Sequence, residues 1–403
     1  MQELRPITDD EVPAFQQALD MGFGSPRDEN SDNRFRRVMP LDRTLASFDG
    51  DRIVATLGDF DLQLAVPGGQ QLPMGGTTMV TVASTHRRQG LLRALVTEHL
   101  RLVAEREDPF AGLWASETQI YGRFGFGMAT ECHQLSFDAR LVTLPPAPRG
   151  HQIELVPADD VVSVVAPFWS ATAGARPGHI DRIDGRWENI AEKGAKPDGG
   201  ATATRHIVAR RDGEVVGYAS YRQTSKWDDA VPNGTVAIEW FMTVDADAHA
   251  ALWSFLTSID LFPNVTHGMA PVDDPLQLWV SDPRQVRRLR LDALYLRVLD
   301  VVAALEGRTY ETDGSLVMAL TDEMGWANGT FAMEVSGGAA SVTPTDTAPD
   351  VTMNVKELGS IYLGGVGAAA LGRVGRITGS EDALLLTDRL FRTHQPPFCS
   401  EDF

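Results

Sequence analysis

The chain has 403 residues, 43% hydrophobic and 23% charged, an ordinary globular composition long enough for two or three domains that each bury a core. Its 36 Lys+Arg against 55 Asp+Glu leave a formal charge of −19, a field that repels polyphosphate and attracts cations. It argues against nucleic acid and anionic membrane surfaces as general partners, although a solubilising acidic surface explains the same number. The two cysteines, Cys132 and Cys399, permit one disulfide at most and offer no metal-ligand cluster, which fits a reduced, cytoplasmic compartment. The N-terminal MQELRPITDDEVPAFQQALD is acidic where a signal peptide needs a basic start. No apolar run approaches the roughly 18 residues of a membrane span, so neither a standard export signal nor stable membrane insertion is expected.

In chain order, residues 9–21 read as a helix, and 51–64 and 71–82 as strands around the Pro67-Gly68-Gly69 turn. The β-rich stretch 77–82 leads through Arg87-Arg88-Gln89-Gly90 into a helix over 91–106, whose Leu92, Leu95, Val96, Leu102 and Val103 fall at helical spacing; a strand over 112–116 follows. The Pro-rich segment 143–150 reads as a linker. Strand and helix patterns alternate again over 153–296, with 205–211 and 214–223 forming a hairpin around Asp212-Gly213. From Val298 onward come strands over 315–321, 330–336 and 339–343, then Gly-rich and Leu-rich helical patterns. The expected fold is therefore mixed α/β (α+β), in three units over 1–145, 151–296 and 297–403.

The joint after Thr81-Val82 has a fainter echo after Thr243-Val244, where Arg and Gly are missing. One copy thus carries a binding turn that the other lacks, unless the likeness is chance. Gly365-Val366-Gly367 imitates a dinucleotide fingerprint but lies too near the C-terminus for a βαβ unit, so a small-residue helix is expected there. His133, His249, His267 and His394 show no zinc-ligand or triad spacing.

The Arg87–Gly90 joint carries the chemistry. A glycine there lets a ligand approach the backbone, the amides of the helix N-terminus point outward with a favourable dipole, and two arginines add bidentate phosphate contacts. On residue types alone a solvated turn with incidental arginines is an equal alternative.

The order of motifs narrows this. Arg88-Gln89-Gly90-Leu91-Leu92 after a strand, followed by Tyr121-Gly122-Arg123-Phe124-Gly125-Phe126, resembles the GCN5-related N-acetyltransferases, with Leu92 standing where most of them have Gly or Ala. The run 80–94, then Ala115-Ser116-Glu117, resembles the enhanced intracellular survival (Eis) family in particular. So do Asp292-Ala293-Leu294-Tyr295-Leu296-Arg297-Val298, Leu358-Gly359-Ser360-Ile361-Tyr362-Leu363-Gly364 and a chain that stops at an aromatic residue. The resemblance implies tandem acetyltransferase-like domains, only the first binding acetyl-CoA, followed by a sterol-carrier-like domain, in a homohexamer.

It also implies roles. Val80, Thr81 and Val82 would supply backbone groups to the pantetheine, with the Val82 amide polarising the thioester carbonyl. Arg88, Gln89, Gly90, Leu91, Leu92 and Arg93 would wrap the pyrophosphate, and Ser116 and Glu117 would add cofactor contacts. Tyr121 matches the general acid: a phenol of reference pKa about 10 is protonated at neutral pH and can neutralise a departing thiolate whose thiol lies near about 8.5. The terminal carboxylate of Phe403 matches the general base, with a water relay or simple cation capture as alternatives. Phe23, Glu401 and Asp402 are substrate candidates, but the family's acidic position holds Ser25, with Asp28 and Glu29 displaced.

The expected activity is acetyl transfer from acetyl-CoA to a primary amine of a cationic substrate (aminoglycoside, polyamine or lysine type), with no metal. The competing readings are a non-catalytic acyl-CoA or lipid-binding protein using the third domain, and an acyltransferase for longer chains.

Overall fold

The computed structural model describes residues 3–403. The chain forms two compact units, one of Met1–Thr130, Gly174–Ile180 and Ala293–Phe403, the other of Glu131–Ala173 and Asp181–Asp292.

The first unit is built on a seven-stranded sheet in the order Glu3–Arg5, Thr44–Asp49, Arg52–Ala65, Gln71–Val82, Phe110–Trp114, Leu294–Val298 and Gly127–Met128. Strand Phe110–Trp114 starts and stops two residues before the expected 112–116. The expected first helix opens as a single tight turn, Asp9–Glu11, before helix Val12–Phe23. At that start the Thr8 N–H donates to the Glu11 carboxylate at 2.9 Å, half of a capping box. The helix ends where Gly24 turns to a φ of 68°. Helix Leu91–Glu105 buries Leu91, Leu95, Val96, Leu100 and Val103 along one face, the 3.6-residue stripe that seats it on the sheet.

The last part of the same unit carries a five-stranded sheet, Ala339–Pro344, Gly329–Ser336, Gly314–Thr321, Val351–Asn354 and Ile377–Gly379. Leu316, Met318 and Leu320, with Phe331, Met333 and Val335, alternate inward. Helix Val355–Tyr362 lies so close to the first sheet that a Cβ on Gly127 would overlap the Lys356 carbonyl oxygen, and one on Gly359 would overlap that of Leu296. Beside this contact Arg297 and Asp322, at 0% and 1% side-chain exposure, pair at 2.6 Å. Asp322 also accepts the Met324 and Ala327 amides, so its buried carboxylate is well satisfied. Arg308, also buried, donates to the Tyr362 and Phe391 carbonyls and stacks on the Tyr310, Tyr362 and Phe391 rings. A guanidinium and three aromatic rings thus occupy the interior of this part.

The second unit has its own seven-stranded sheet, Arg287–Asp292, Glu131–Asp138, Asn264–Pro271, Thr235–Thr243, Glu214–Thr224, Arg205–Arg211 and His151–Val156. Strand Glu131–Asp138, which precedes the Pro-rich segment, pairs in this sheet. The hairpin turn has φ of 51° at Asp212 and 88° at Gly213, the mirror-image turn that suits twisted strands. Arg182 stacks on Trp169, Trp187 and Trp240 at 3.8, 4.6 and 3.9 Å, a cation–π core for this unit.

Candidate active site

Strand register opens a cleft in the first unit. Gln71–Val82 and Phe110–Trp114 pair in parallel only at Met74–Phe110, Gly75–Ala111 and Gly76–Gly112. Beyond Gly76 the two strands part, leaving one edge of residues 77–82 without a strand neighbour. On the other edge, Met79 and Val80 stand opposite the single Leu57, a bulge marked by the positive φ of 54° at Met79. The Thr56 hydroxyl donates to the Met79 carbonyl at 2.7 Å, replacing part of the lost ladder. After the bulge the ladder resumes with Thr81 opposite Thr56, and the Ala83 N–H donates to the Val54 carbonyl at 2.8 Å. Because antiparallel ladders alternate, Val82 turns its N–H and C=O toward the open edge.

The cleft has a volume of 590 Å³, and its walls include Val80, Thr81, Val82, Arg88, Gly90, Leu91, Leu92, Arg93, Ser116, Glu117, Tyr121, Phe23 and Phe403. Arg88 and Gly90 take φ of 63° and 85° and lead the chain into the helix, whose first residues Leu91, Leu92 and Arg93 line the cleft. Gly90, the N-cap, offers no side-chain oxygen to the first amides of the helix, and a Cβ there would meet open space. The turn therefore leaves these amides without a side-chain cap, an arrangement that suits an anion, with Arg87, Arg88 and Arg93 beside it. The matching turn of the second unit is closed: Asp245 caps helix Ala246–Thr257, its carboxylate accepting the Ala248 N–H at 2.9 Å. An incoming phosphate would meet that carboxylate instead of free amides.

Tyr121 ends the short helix Thr118–Tyr121 and is 8% exposed, edge-on to Phe126 with ring centroids 6.0 Å apart. Burial, with a smaller contribution from the Glu117 carboxylate, pushes its phenol up to about 12, so it holds its proton at neutral pH. Gly125, with φ of 82°, turns the chain after it. A Cβ on Gly125 would lie 2.9 Å from the buried Arg297 guanidinium, which explains a glycine in the Tyr-Gly-Arg-Phe-Gly run.

The C-terminal tail is docked along its length. Phe398, Cys399, Ser400 and Glu401 are 6%, 0%, 3% and 3% exposed, and the Trp114 indole donates to the Glu401 carbonyl at 2.9 Å. Phe403 packs against the cores of both parts of this unit and lines the cleft.

Three candidates lie outside the walls. Gln89 is exposed and directs its amide to the Thr85 carbonyl at 3.4 Å, since the positive φ at Arg88 turns it away from the cleft. Glu401 is buried behind Trp114, and Asp402 is exposed beside the cleft and not in its wall. Motif reading missed Gly22, Met79, Trp114, Ile120 and Arg123, which also line the cleft. Gly22 carried a signal, for a side chain there would collide with Thr81. Trp114 carried none, because its role depends on a tail 287 positions away.

Comparison with known proteins agrees with this geometry. Models of an acetyltransferase (GNAT) domain match residues 3–129 and 178–298, and a sterol carrier protein domain model matches 301–400. An uncharacterized N-acetyltransferase of Streptomyces avermitilis is 34% identical over 383 residues, 93% of each chain. N-acetyltransferase Eis of Mycobacterium bovis is 33% identical over 392 residues, covering 94% of this chain and 93% of its own. The chain belongs to the Eis family of N-acetyltransferases. The crystal structure of Eis1 from Mycobacterium abscessus superposes over the whole of both chains with a TM-score of 0.87 at 28% identity. This Eis-family chain is accordingly an acetyltransferase with two GNAT domains and a sterol-carrier-like domain. Among the described residues no helix is long and apolar enough to cross a membrane.

Proposed function

We propose that the protein transfers the acetyl group of acetyl-CoA to a primary amine by direct attack, in the cleft of the first GNAT domain. One observation carries this reading: a free strand edge at Val82, an uncapped helix N-terminus with three arginines, a protonated phenol and the chain terminus all face one cavity. The donor's pyrophosphate fits the Gly90 turn, with Arg88 and Arg93 beside it and Leu91 and Leu92 at its floor. Val80, Thr81 and Val82 would run alongside the pantetheine, with Ser116 and Glu117 on the facing wall. A Val82 N–H aimed at the thioester oxygen would stabilise the charge that develops there.

Proton traffic follows from two residues that line the cleft, Tyr121 and Phe403. The amine nitrogen attacks the carbonyl carbon and the carbon–sulfur bond breaks. The Phe403 carboxylate takes the proton leaving nitrogen, and Tyr121 gives its own to the departing sulfur. The charges in the wall bear on the acceptor: Arg87, Arg88, Arg93 and Arg123 line the cleft together with Glu117 and Phe403. The molecule's acidic surplus is therefore not concentrated in this cavity, which supports a substrate presenting one ammonium at a time.

Thiol release from acetyl-CoA with a panel of primary amines tests the proposal. Amine-dependent release supports it, and release from no amine overturns it in favour of an acyl-CoA-binding or lipid-binding role. The occupied interior around Arg308 supports catalysis over lipid carriage.

A further inference from the structure

We infer that segment 174–180 is a strap that positions the terminal carboxylate, acting through a buried hydrogen bond between His179 and Ser400. The inference rests on the Phe403 carboxylate being the base proposed above.

The strap is fixed at one side to the end of strand Arg52–Ala65. The Gly178 N–H donates to the Ala65 carbonyl at 2.8 Å, the Ala65 N–H donates to the His179 carbonyl at 2.9 Å, and Ile180 bridges to Leu64. At its other side it holds the tail. The Arg176 guanidinium donates to the Pro396 carbonyl at 2.8 Å, and the Phe398 N–H donates to that of Pro177 at 2.9 Å. Gly178, with φ of 89°, lets the backbones approach so closely that a Cβ there would sit 3.1 Å from the Phe398 carbonyl oxygen. His179 and Ser400, each 3% exposed, then join through Nδ1 and Oγ at 2.7 Å.

Apolar side chains would dock this tail as firmly, and burying two polar groups costs their hydration. What the pair adds is direction. A short, buried hydrogen bond fixes the rotation of the chain three residues before its end, and the Trp114 and Cys399 contacts to the Glu401 carbonyl carry that orientation toward Phe403. A base misplaced by about 1 Å can cost about a hundredfold in rate. His179 and Ser400 are accordingly positioning residues, not catalytic ones.

The test compares His179→Ala, His179→Asn and Ser400→Ala in the full chain and in a chain extended by one glycine beyond Phe403. Turnover, amine KM, acetyl-CoA affinity and thermal midpoint are read together. Both alanine variants should lose about tenfold or more in kcat while acetyl-CoA affinity moves less than about twofold. His179→Asn, which restores a polar group at the Nδ1 position, should recover most of the loss. In the extended chain, already impaired, the alanine changes should add less than about twofold, because both lesions act on the same carboxylate. Ser400→Ala removes a single oxygen and reads the same bond if His179→Ala does not fold. Wild-type kcat in Ser400→Ala, or full additivity with the extension, overturns the strap alone. Full activity in the extended chain overturns the terminal base, and the strap with it.

Discussion

At the Tyr121 hydroxyl two demands oppose each other. Burial and Glu117 push the phenol up to about 12, which secures the proton but makes the group a weaker acid. The same desolvation acts on a thiolate leaving into the cleft, so the mismatch narrows when sulfur carries its charge. Tyr121→Phe should lower kcat by roughly 10²-fold or more while acetyl-CoA affinity, measured by calorimetry, stays nearly unchanged; equal losses in both would reassign the residue to binding. With the protonated form proposed as the active one, its titration should remove activity only as pH climbs toward about 12. A decline of kcat centred near pH 8.5 that disappears in Tyr121→Phe would contradict this assignment.

Elements meet with little slack behind the cleft. A methyl group on Gly127 would overlap the Lys356 carbonyl oxygen, and backbone on both sides cannot yield as a side-chain tip can. Gly127→Ala should therefore cost about 3 kcal/mol in denaturant unfolding; a stability within about 0.5 kcal/mol of wild type would show that the helix and sheet can separate there. On helix Leu91–Glu105, His99 is fully buried, shares a hydrogen bond of 2.7 Å with Thr77 of strand Gln71–Val82, and is pushed down to about 3 by desolvation. Its unfolded value lies near about 6.5. A group held neutral in this way contributes stability that is complete above that value and is lost as pH falls toward 3. The stability advantage of wild type over His99→Gln should accordingly shrink between pH 7 and 4, and a constant difference would show that His99 does not titrate against folding.

Much of this architecture was legible in the sequence wherever the information is local. Strand Gln71–Val82 was expected at its observed limits, and the Arg87–Gly90 joint leads into a helix, Leu91–Glu105, as expected. Pairings between distant segments were not legible. Nothing local announces that Leu294–Val298 is a strand lying between Phe110–Trp114 and Gly127–Met128, and the expected boundary at 296/297 falls inside it. Trp114 and His179 acquire their roles only when the tail folds back onto them. The buried Arg297–Asp322 pair likewise joins two segments whose meeting no local pattern announces.

For the whole molecule, the formal charge of −19 divides between a broad acidic surplus and a cleft whose donor end is basic. If Arg87, Arg88 and Arg93 hold the donor's phosphates as proposed, the KM for acetyl-CoA should rise with ionic strength as the Debye length shrinks from about 10 Å at 0.1 M. If the surplus steers cationic acceptors, their kcat/KM should fall over the same range. An acceptor kcat/KM insensitive to salt would return the net charge to a role in solubility. One site, in the first GNAT domain, is proposed to join donor and acceptor directly. The most direct test is to quantify free thiol and N-acetylated amine in the same reaction. Direct attack predicts one acetylated amine for every thiol released, and thiol release without an acetylated amine would contradict it.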